Sequence, residues 1–527
     1  MVSIPTTVNG TAVEIDVSGP EAAVDVIREQ LGLTGTKLVC AGGVCGACTI
    51  QLDGEPVAGC LTPATALRGA EVTTVEGLAP GDELHPAQRA FLAHDGLQCG
   101  YCTPGFVTAA SAFVDRWRAE NGDTEPSRHV IADALAGNLC RCGAYEGIYR
   151  AVAAACRGEH DEAGPSARVD GEAKVTGAAV YAADVFPPDG LHAVIVRSPI
   201  AAADIGPTPL DAAPWVVDLL GDQRSVVYAG QPIAAVAAET LDEARRLAAD
   251  FPIDVRPKLF VTDPKAAKAD GAPVVHADRA ARRAAPNAAE GAAFPTRWSG
   301  NVRGPISLRF RGLTANRRIK RARSNGQAGL AEVHVETGVQ LHTSFEPHCT
   351  VADWSDPQKL VMWTSTQALN HVHEELAEHY ELEPTAIEIH ADFVGGGFGA
   401  KLGVTPDMHA AIQLSKAARR PVRLVLDRRE ELTATGNRPG SSTDVSLLVG
   451  DDGSHQAMTL EGEAHAGSAI NGAYGILAAL TYRRSPKLTR DRDVLTNTPP
   501  GAPFRGPGGP TAATGGTSTQ PRCRRRR

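Results

Sequence analysis

Eleven cysteines occur in this 527-residue chain, and eight of them fall in two sets of four within the first 150 residues. The first set is Cys40, Cys45 and Cys48, written Cys-Ala-Gly-Gly-Val-Cys-Gly-Ala-Cys, with a fourth thiol at Cys60. The second is Cys99 and Cys102, in Gln98-Cys-Gly-Tyr-Cys-Thr-Pro-Gly, answered by Cys140 and Cys142 in Cys-Arg-Cys-Gly. Any fold open to this region must bring each set of thiols to one point. Four thiolates are what a [2Fe–2S] cluster needs, and C-x4-C-x2-C with a distant fourth Cys is an iron–sulfur spacing. Zinc is a rival for C-x2-C paired with C-x-C. The first spacing is unusual for zinc, so iron is the better reading of both sets. Buried core thiols would not fall at two such spacings. Cys156, Cys349 and Cys523 fit neither set and read as unpaired.

The surrounding sequence supplies a frame for each set. Residues 2–16 alternate around Asn9-Gly10, a two-residue hairpin signal. Glu21 to Leu33 carries Ala22, Val26, Ile27 and Leu31 at helical spacing. Ala41, Gly42, Gly43, Gly46 and Ala47 let the backbone wrap closely and aim N–H groups at sulfur. A second hairpin, Thr49–Leu52 and Val57–Leu61 around Asp53-Gly54, carries Cys60. This is the pattern of a small β-grasp ferredoxin domain. From His85 the periodicity becomes helical, predicting helices Pro86–His94, Pro104–Arg118, His129–Leu135 and Gly147–Ala155, a four-helix domain with the second set at its tip. Helix N-termini near Cys102 and Cys142 would favour an anionic cluster.

A net charge of −9 argues against general nucleic-acid binding. No run of about 18 apolar residues predicts a membrane span, and no signal peptide is visible at the N-terminus. Thiols at ligand spacing without a secretion signal suggest a reducing compartment, here the cytoplasm.

Residues 157–165 are polar and read as a linker. An α/β region follows, with strands at Leu191–Arg197, Ser225–Tyr228 and Ile233–Ala238 and a helix at Leu241–Ala249. Residues 291–331 hold nine Lys or Arg and no acid. Without interleaved aromatics they read as a solvated loop rather than a nucleic-acid patch. Then come Phe345-Glu-Pro-His348, a strand Leu360–Thr364 ending in Ser365-Thr-Gln367, a helix Ala368–Tyr380, a strand Ala386–Ala391, and Val394-Gly-Gly-Gly-Phe398-Gly399-Ala-Lys401. A glycine loop after a strand offers N–H groups to an oxyanion. It is neither a P-loop nor a dinucleotide fingerprint. The last motif is Phe504-Arg505-Gly-Pro-Gly-Gly-Pro510. Residues 513–527 have no packing pattern and read as a disordered tail.

Together these motifs resemble the molybdenum hydroxylase family, the xanthine dehydrogenases and aldehyde oxidoreductases, from residue 1 to about 512. The resemblance implies a multidomain fold: a β-grasp [2Fe–2S] ferredoxin domain (1–80), a four-helix [2Fe–2S] domain (81–157), a linker (158–166), a hammerhead-like α/β domain (167–290) and a partial α+β molybdopterin-binding domain (291–512). No flavin domain intervenes, as in the aldehyde oxidoreductase arrangement. It implies that Cys40, Cys45, Cys48 and Cys60 hold a distal cluster, and Cys99, Cys102, Cys140 and Cys142 a proximal one. Gln98 and Cys142 would touch the pterin. Gln367, Phe398 and Gly399 would stand at the molybdenum, with Gly397 and Arg505 also at the cofactor.

The implied activity is hydroxylation of an aldehyde or N-heterocycle with water as oxygen source, the electrons leaving through both clusters to a separate FAD subunit or another acceptor. Leu402, where xanthine-type members carry Glu, suits an aldehyde. Two features depart from the family. The family's catalytic glutamate has no matching motif before residue 512, and Leu313–Gly326 does not read like the family around it. The expectation is a chain that assembles both clusters but turns over little unless another polypeptide completes it. The competing readings are an electron-transfer iron–sulfur protein with an inactive molybdenum domain, and a zinc-binding interaction module.

Overall fold

The computed structural model describes residues 2–79, 83–162, 168–277, 296–471, 474–481 and 485–510. The predicted tail, with Cys523, lies outside them, as do 278–290 and part of the linker. The chain divides into two compact units. One comprises Met1–Ala193, Thr343–Gly397 and Lys401–Arg428; the other comprises Val194–His342, Phe398–Ala400 and Arg429–Arg527.

The first unit opens with strands β1 (Val2–Val8) and β2 (Thr11–Val17), helix α1 (Ala23–Glu29), and strands β3 (Thr49–Leu52), β4 (Glu55–Ala58) and β5 (Glu71–Thr73). They form a five-stranded sheet of order β2-β1-β5-β3-β4. The β1–β2 register runs from Val2↔Val17 to Val8↔Thr11. Both predicted hairpin turns have two left-handed residues, Asn9-Gly10 and Asp53-Gly54, so the turn twist matches the strand twist. Alternation puts Ile4, Val8, Ile15 and Val17 against Val26 and Ile27 of α1. Cys60 falls just beyond β4, in the turn rather than in the strand the sequence suggested.

Helices α2 (Pro86–Ala93), α3 (Thr103–Asn121), α4 (Arg128–Ala134) and α5 (Tyr145–Cys156) follow within a residue or two of expectation at most ends. Their core includes Phe91, Phe106, Val107, Ile148 and Val152. The two sub-structures touch at the first thiol loop, through one backbone and one side-chain donor. Leu139 N–H donates to the Cys45 carbonyl at 2.9 Å, and Asn138 Nδ2 to the Gly46 carbonyl at 2.9 Å. The chain then makes Gly171–Thr176 helical. Asp184, fully buried, binds Arg28 at 2.9 Å and Lys37 at 2.5 Å.

The later segments of this unit add strands Cys349–Asp353, Leu360–Thr364, Ile387–His390 and Val422–Val425, with helices Leu369–Tyr380 and Pro406–Ala418. Leu360–Thr364 pairs in parallel with Ile387–His390 and antiparallel with Cys349–Asp353. This is the arrangement that delivers Ser365–Gln367 and the glycine loop from neighbouring strand ends.

The second unit holds the α/β region, in which Trp215–Asp218 and Pro232–Ala238 pair antiparallel and Leu241–Ala249 is helical. It also holds a six-stranded sheet in the order Trp298–Ser299, Val302–Phe310, Lys487–Leu495, His455–Gly467, Gly440–Val449, Leu330–Thr337. The basic stretch is therefore not a loop. It forms strand Val302–Phe310 and helix Gly312–Ser324. Ala315, Ile319 and Ala322, spaced i, i+4, i+7, are buried against Leu448 and Ala457. Arg317, Arg318, Lys320, Arg321 and Arg323 stay exposed, so charge density hid a narrow apolar stripe. Among the described residues no helix is long and apolar enough to cross a membrane.

Candidate functional site

The first thiol set sits in a loop curled by left-handed residues at Ala41, Gly43 and Gly46. The curl turns the N–H groups of Gly42 and Val44 onto Cys40 Sγ, each at 3.4 Å, and Cys60 N–H onto Cys48 Sγ at 3.4 Å. Burial opposes ionisation of Cys40, but those N–H donors outweigh it and bring the thiol down to about 7. Burial pushes Cys45 up to about 11 and Cys48 to about 12, with Cys60 crowding the latter.

The second set is held by helix ends. Cys102 caps α3, and Cys140 and Cys142 immediately precede α5. Ala144 N–H reaches Cys140 Sγ at 3.5 Å. The Cys140 thiol hydrogen-bonds those of Cys102 and Cys142, which drives it far down, and Cys99 engages Cys142. Cys102 is pushed up by Cys140 and by burial, and Cys142 by Cys140 and Cys99. Four sulfurs this close cannot all ionise without cations among them, so both sets suit a cationic iron centre.

Gln98 is exposed, and its carbonyl accepts from Arg168 Nη2 at 3.0 Å and Lys174 Nζ at 3.1 Å. Tyr181 Oη donates to the Cys99 carbonyl at 2.8 Å. A Cβ at Gly100 would stand 2.6 Å from that hydroxyl. The sequence pointed to Gln98 and Cys99 but not to Arg168, Lys174 or Tyr181, which fix their backbone from about 70 to 80 residues away.

Elsewhere in the sequence of the first unit, Gln367 N–H donates to the Lys401 carbonyl at 2.8 Å. The exposed Gln367 side chain lies on Gly397, where a Cβ would meet Oε1 at 2.3 Å. Beneath them Lys401 and Glu346 are fully buried. Lys401 Nζ donates to the Glu346 carbonyl at 2.9 Å and stands 3.6 Å from its Oε2, which also accepts from Gly395 N–H at 2.6 Å. Burial pushes the Glu346 carboxyl up against the pull of Lys401. The sequence offered Phe345–His348 as a motif without a role. Here it clamps the base of the glycine loop.

In the second unit Phe398 is left-handed at φ 57°, and its carbonyl accepts from Arg505 N–H at 2.7 Å. Gly399, at φ 109°, abuts the Pro503 carbonyl. Phe504 is buried between His342 and Phe398, with ring centroids 5.0 and 6.4 Å away. The Arg438 guanidinium lies 4.7 Å over the Phe504 ring, and its Nη2 donates to the Phe504 carbonyl at 2.6 Å. Arg438 Nε and Nη1 are buried with no hydrogen-bond partner among the described residues, and burial pulls this cation's pKa down. An orphaned cationic edge fits an anionic group brought by a ligand. Sequence reasoning missed Arg438, because Gly436-Asn-Arg-Pro-Gly440 marks a turn and says nothing of burial.

Residues 6–79 match the 2Fe-2S iron-sulfur cluster binding domain, 74–153 the [2Fe-2S] binding domain, and 319–516 the molybdopterin cofactor-binding domain. The small subunit of nicotine 6-hydroxylase from Paenarthrobacter nicotinovorans is 42% identical over 151 residues, covering 29% of this chain and 87% of that protein. The chain belongs to the molybdenum hydroxylase family. Like other members of that family it carries two [2Fe–2S] domains and a molybdopterin cofactor-binding domain. The aldehyde oxidoreductase of Megalodesulfovibrio gigas is 28% identical over 96% of this molybdenum hydroxylase chain. The chain spans 59% of that relative's length. The crystal structure of the aldehyde oxidoreductase from Desulfovibrio desulfuricans superposes with a TM-score of 0.80 at 25% identity, covering 99% of this chain and 62% of that one. The match to the molybdopterin domain opens at residue 319, inside helix Gly312–Ser324. Of the stretch Leu313–Gly326, read from the sequence as unlike the family, residues 319–326 fall inside this match and 313–318 outside it.

Proposed function

We propose that the chain serves a molybdenum-dependent hydroxylase that oxidises an aldehyde, with an N-heterocycle as the second substrate class, water supplying the oxygen. The overall reaction is R–CHO + H2O → R–COOH + 2 e⁻ + 2 H⁺. The observation that carries this reading is the presence, in one chain, of two four-thiol sets together with the Gln367-on-Gly397 contact and the Phe398–Arg505 loop pair. Aldehyde is preferred because the relative matching 96% of the chain is an aldehyde oxidoreductase, whereas the nicotine relative matches 29% of it. The partly exposed, apolar Leu402 agrees with that choice.

In this reading Cys40, Cys45, Cys48 and Cys60 hold the distal cluster, and Cys99, Cys102, Cys140 and Cys142 the proximal one. When bound, the molybdenum cofactor supplies the two-electron acceptor. As the family resemblance implies, Gln98 and Cys142 would hold its pterin, Gln367, Phe398 and Gly399 would serve its metal, and Gly397 and Arg505 would contact the cofactor. The Gly399 N–H donates, and the orphaned edge of Arg438 meets an anionic group. Lys401 and Glu346 keep the glycine loop fixed while charge moves. The eight cysteines would hold two one-electron carriers, through which the pair of electrons would leave singly to a separate flavin subunit or another acceptor.

The test is anaerobic mixing of protein loaded with iron and molybdenum with benzaldehyde or with quinoline. Slow aldehyde-dependent bleaching of the cluster absorbance is expected, because the chain by itself is expected to turn over little. Full metal occupancy with no bleaching by either compound would sink the reading. Loaded clusters in a chain that takes up no molybdenum would favour the electron-carrier alternative, in keeping with a relative that is the iron-sulfur-binding subunit of an Escherichia coli aldehyde oxidoreductase.

A further inference from the structure

The helical domain carries a second cluster of metal-ligating side chains that contains no cysteine. His94 caps the C-terminus of α2, and His160 lies four residues beyond the end of α5. Their Nε2 atoms face each other at 3.0 Å. The rings meet edge to face, with centroids 5.1 Å apart. A carboxylate oxygen of Glu159 completes a group whose ligand atoms all lie within 4.8 Å of one another. We propose that His94, His160 and Glu159 bind one divalent transition-metal ion, zinc by chemistry, which ties the end of α2 to the chain leaving α5.

The geometry suits the ion. Two imidazole nitrogens on one tetrahedral zinc, each about 2.0–2.1 Å from the metal, stand about 3.3 Å apart. The observed 3.0 Å needs a shift of a few tenths of an ångström. Two nitrogens and one oxygen form a borderline donor set with room for a water. The electrostatics also favour a cation at the C-terminal, partly negative end of α2, which His94 caps. Burial and the neighbouring His160 pull the pKa of His94 down, toward the neutral form that ligates.

The position is prepared before an ion arrives. Arg89 donates to the carbonyls of His160 and Asp161 at 2.7 and 2.8 Å. Arg118 holds the Asp161 carboxylate through two bonds of 2.7 and 2.8 Å. Glu159 Oε1 accepts from Arg157 at 2.6 Å, which orients the carboxylate as an outer-shell partner does. Arg150 and Arg157 oppose a cation by charge. Glu159 offsets them directly.

The probe is Zn²⁺, titrated at pH 7.5 into the full chain with both iron clusters loaded, against a competing chelator. One equivalent bound per chain is expected, with an X-ray absorption fine structure showing nitrogen and oxygen neighbours and imidazole scattering. His94→Ala and His160→Gln should each weaken binding at least tenfold with the cluster absorbance unchanged. Where a histidine variant loses its clusters, the exposed Glu159→Gln decides, with a weakening of tenfold or more expected. A sulfur shell at about 2.3 Å, equal affinity in the variants, or no uptake at millimolar Zn²⁺ overturns the proposal.

Discussion

A Cβ at Gly397 would strike the end of a flexible glutamine side chain, Gln367 Oε1, whereas one at Gly399 would strike the Pro503 backbone carbonyl at 2.3 Å, with φ already at 109°. The two substitutions therefore differ in kind. Gly399→Ala should destabilise the chain by about 2–3 kcal/mol in urea denaturation, combining left-handed strain and a fixed neighbour. Gly397→Ala should cost under about 1 kcal/mol, because Gln367 can swing away. Equal losses would show that the Pro503–Arg505 segment yields. Asp491 gives a pH-dependent counterpart. Burial, and then the charge of Asp493, raise it to about 8. The folded chain thus keeps a proton that the unfolded chain releases near 3.8, so stability falls as pH rises from about 4 to about 8, by up to about 1.4 kcal/mol per pH unit. Asp491→Asn should flatten that slope in thermal unfolding followed across the same window.

Among elements, α3 shows how propensity can mislead. Gly105 lies in its first turn, and a helical Gly→Ala change ordinarily gains about 1 kcal/mol. Here a Cβ would stand 2.2 Å from the Gly46 carbonyl and 3.0 Å from Ala47 Cα, inside the first thiol loop. Gly105→Ala should therefore lose about 1–3 kcal/mol and loosen the first cluster before the second, seen as earlier bleaching of one of two paramagnetic signals on heating. The frame of this region was readable because its signals are local. Asn9-Gly10, Asp53-Gly54 and the thiol spacings each act within a few residues. The basic stretch misled for the complementary reason. Five exposed cations between residues 317 and 323 outnumber the Ala315, Ile319 and Ala322 stripe that makes the segment a helix.

For the molecule as a whole, the two thiol sets should be separable. Cys48→Ser should lower iron from about four to about two per chain and remove one paramagnetic signal. Cys140→Ser should remove the other. Loss of all iron in either variant would mean that the domains fold only together. What the sequence did not disclose is what joins distant segments. Asp184 meets Arg28 and Lys37, Glu346 meets Lys401, and Arg438 lies over Phe504. A buried charge has no local signature, because its partner is chosen by the fold and not by spacing. The eight cysteines were legible, as were Gln367 and Gly399 as loop positions, while the clamps that fix them were not.

The first unit is assembled from three separate stretches, with Val194–His342 inserted before its second. On a ribosome this order becomes a schedule. Every thiol of both sets has emerged well before residue 193, but the strands that finish the unit end at residue 428. At about 5–20 residues per second, the interval is roughly 12 to 47 s. For roughly its first two-thirds the thiol loops are exposed to the cell's metal-delivery machinery while Glu346 and Lys401 are still unmade. Iron can therefore be installed in a half-built protein, and the nascent chain has a window in which the wrong metal can reach those thiols first.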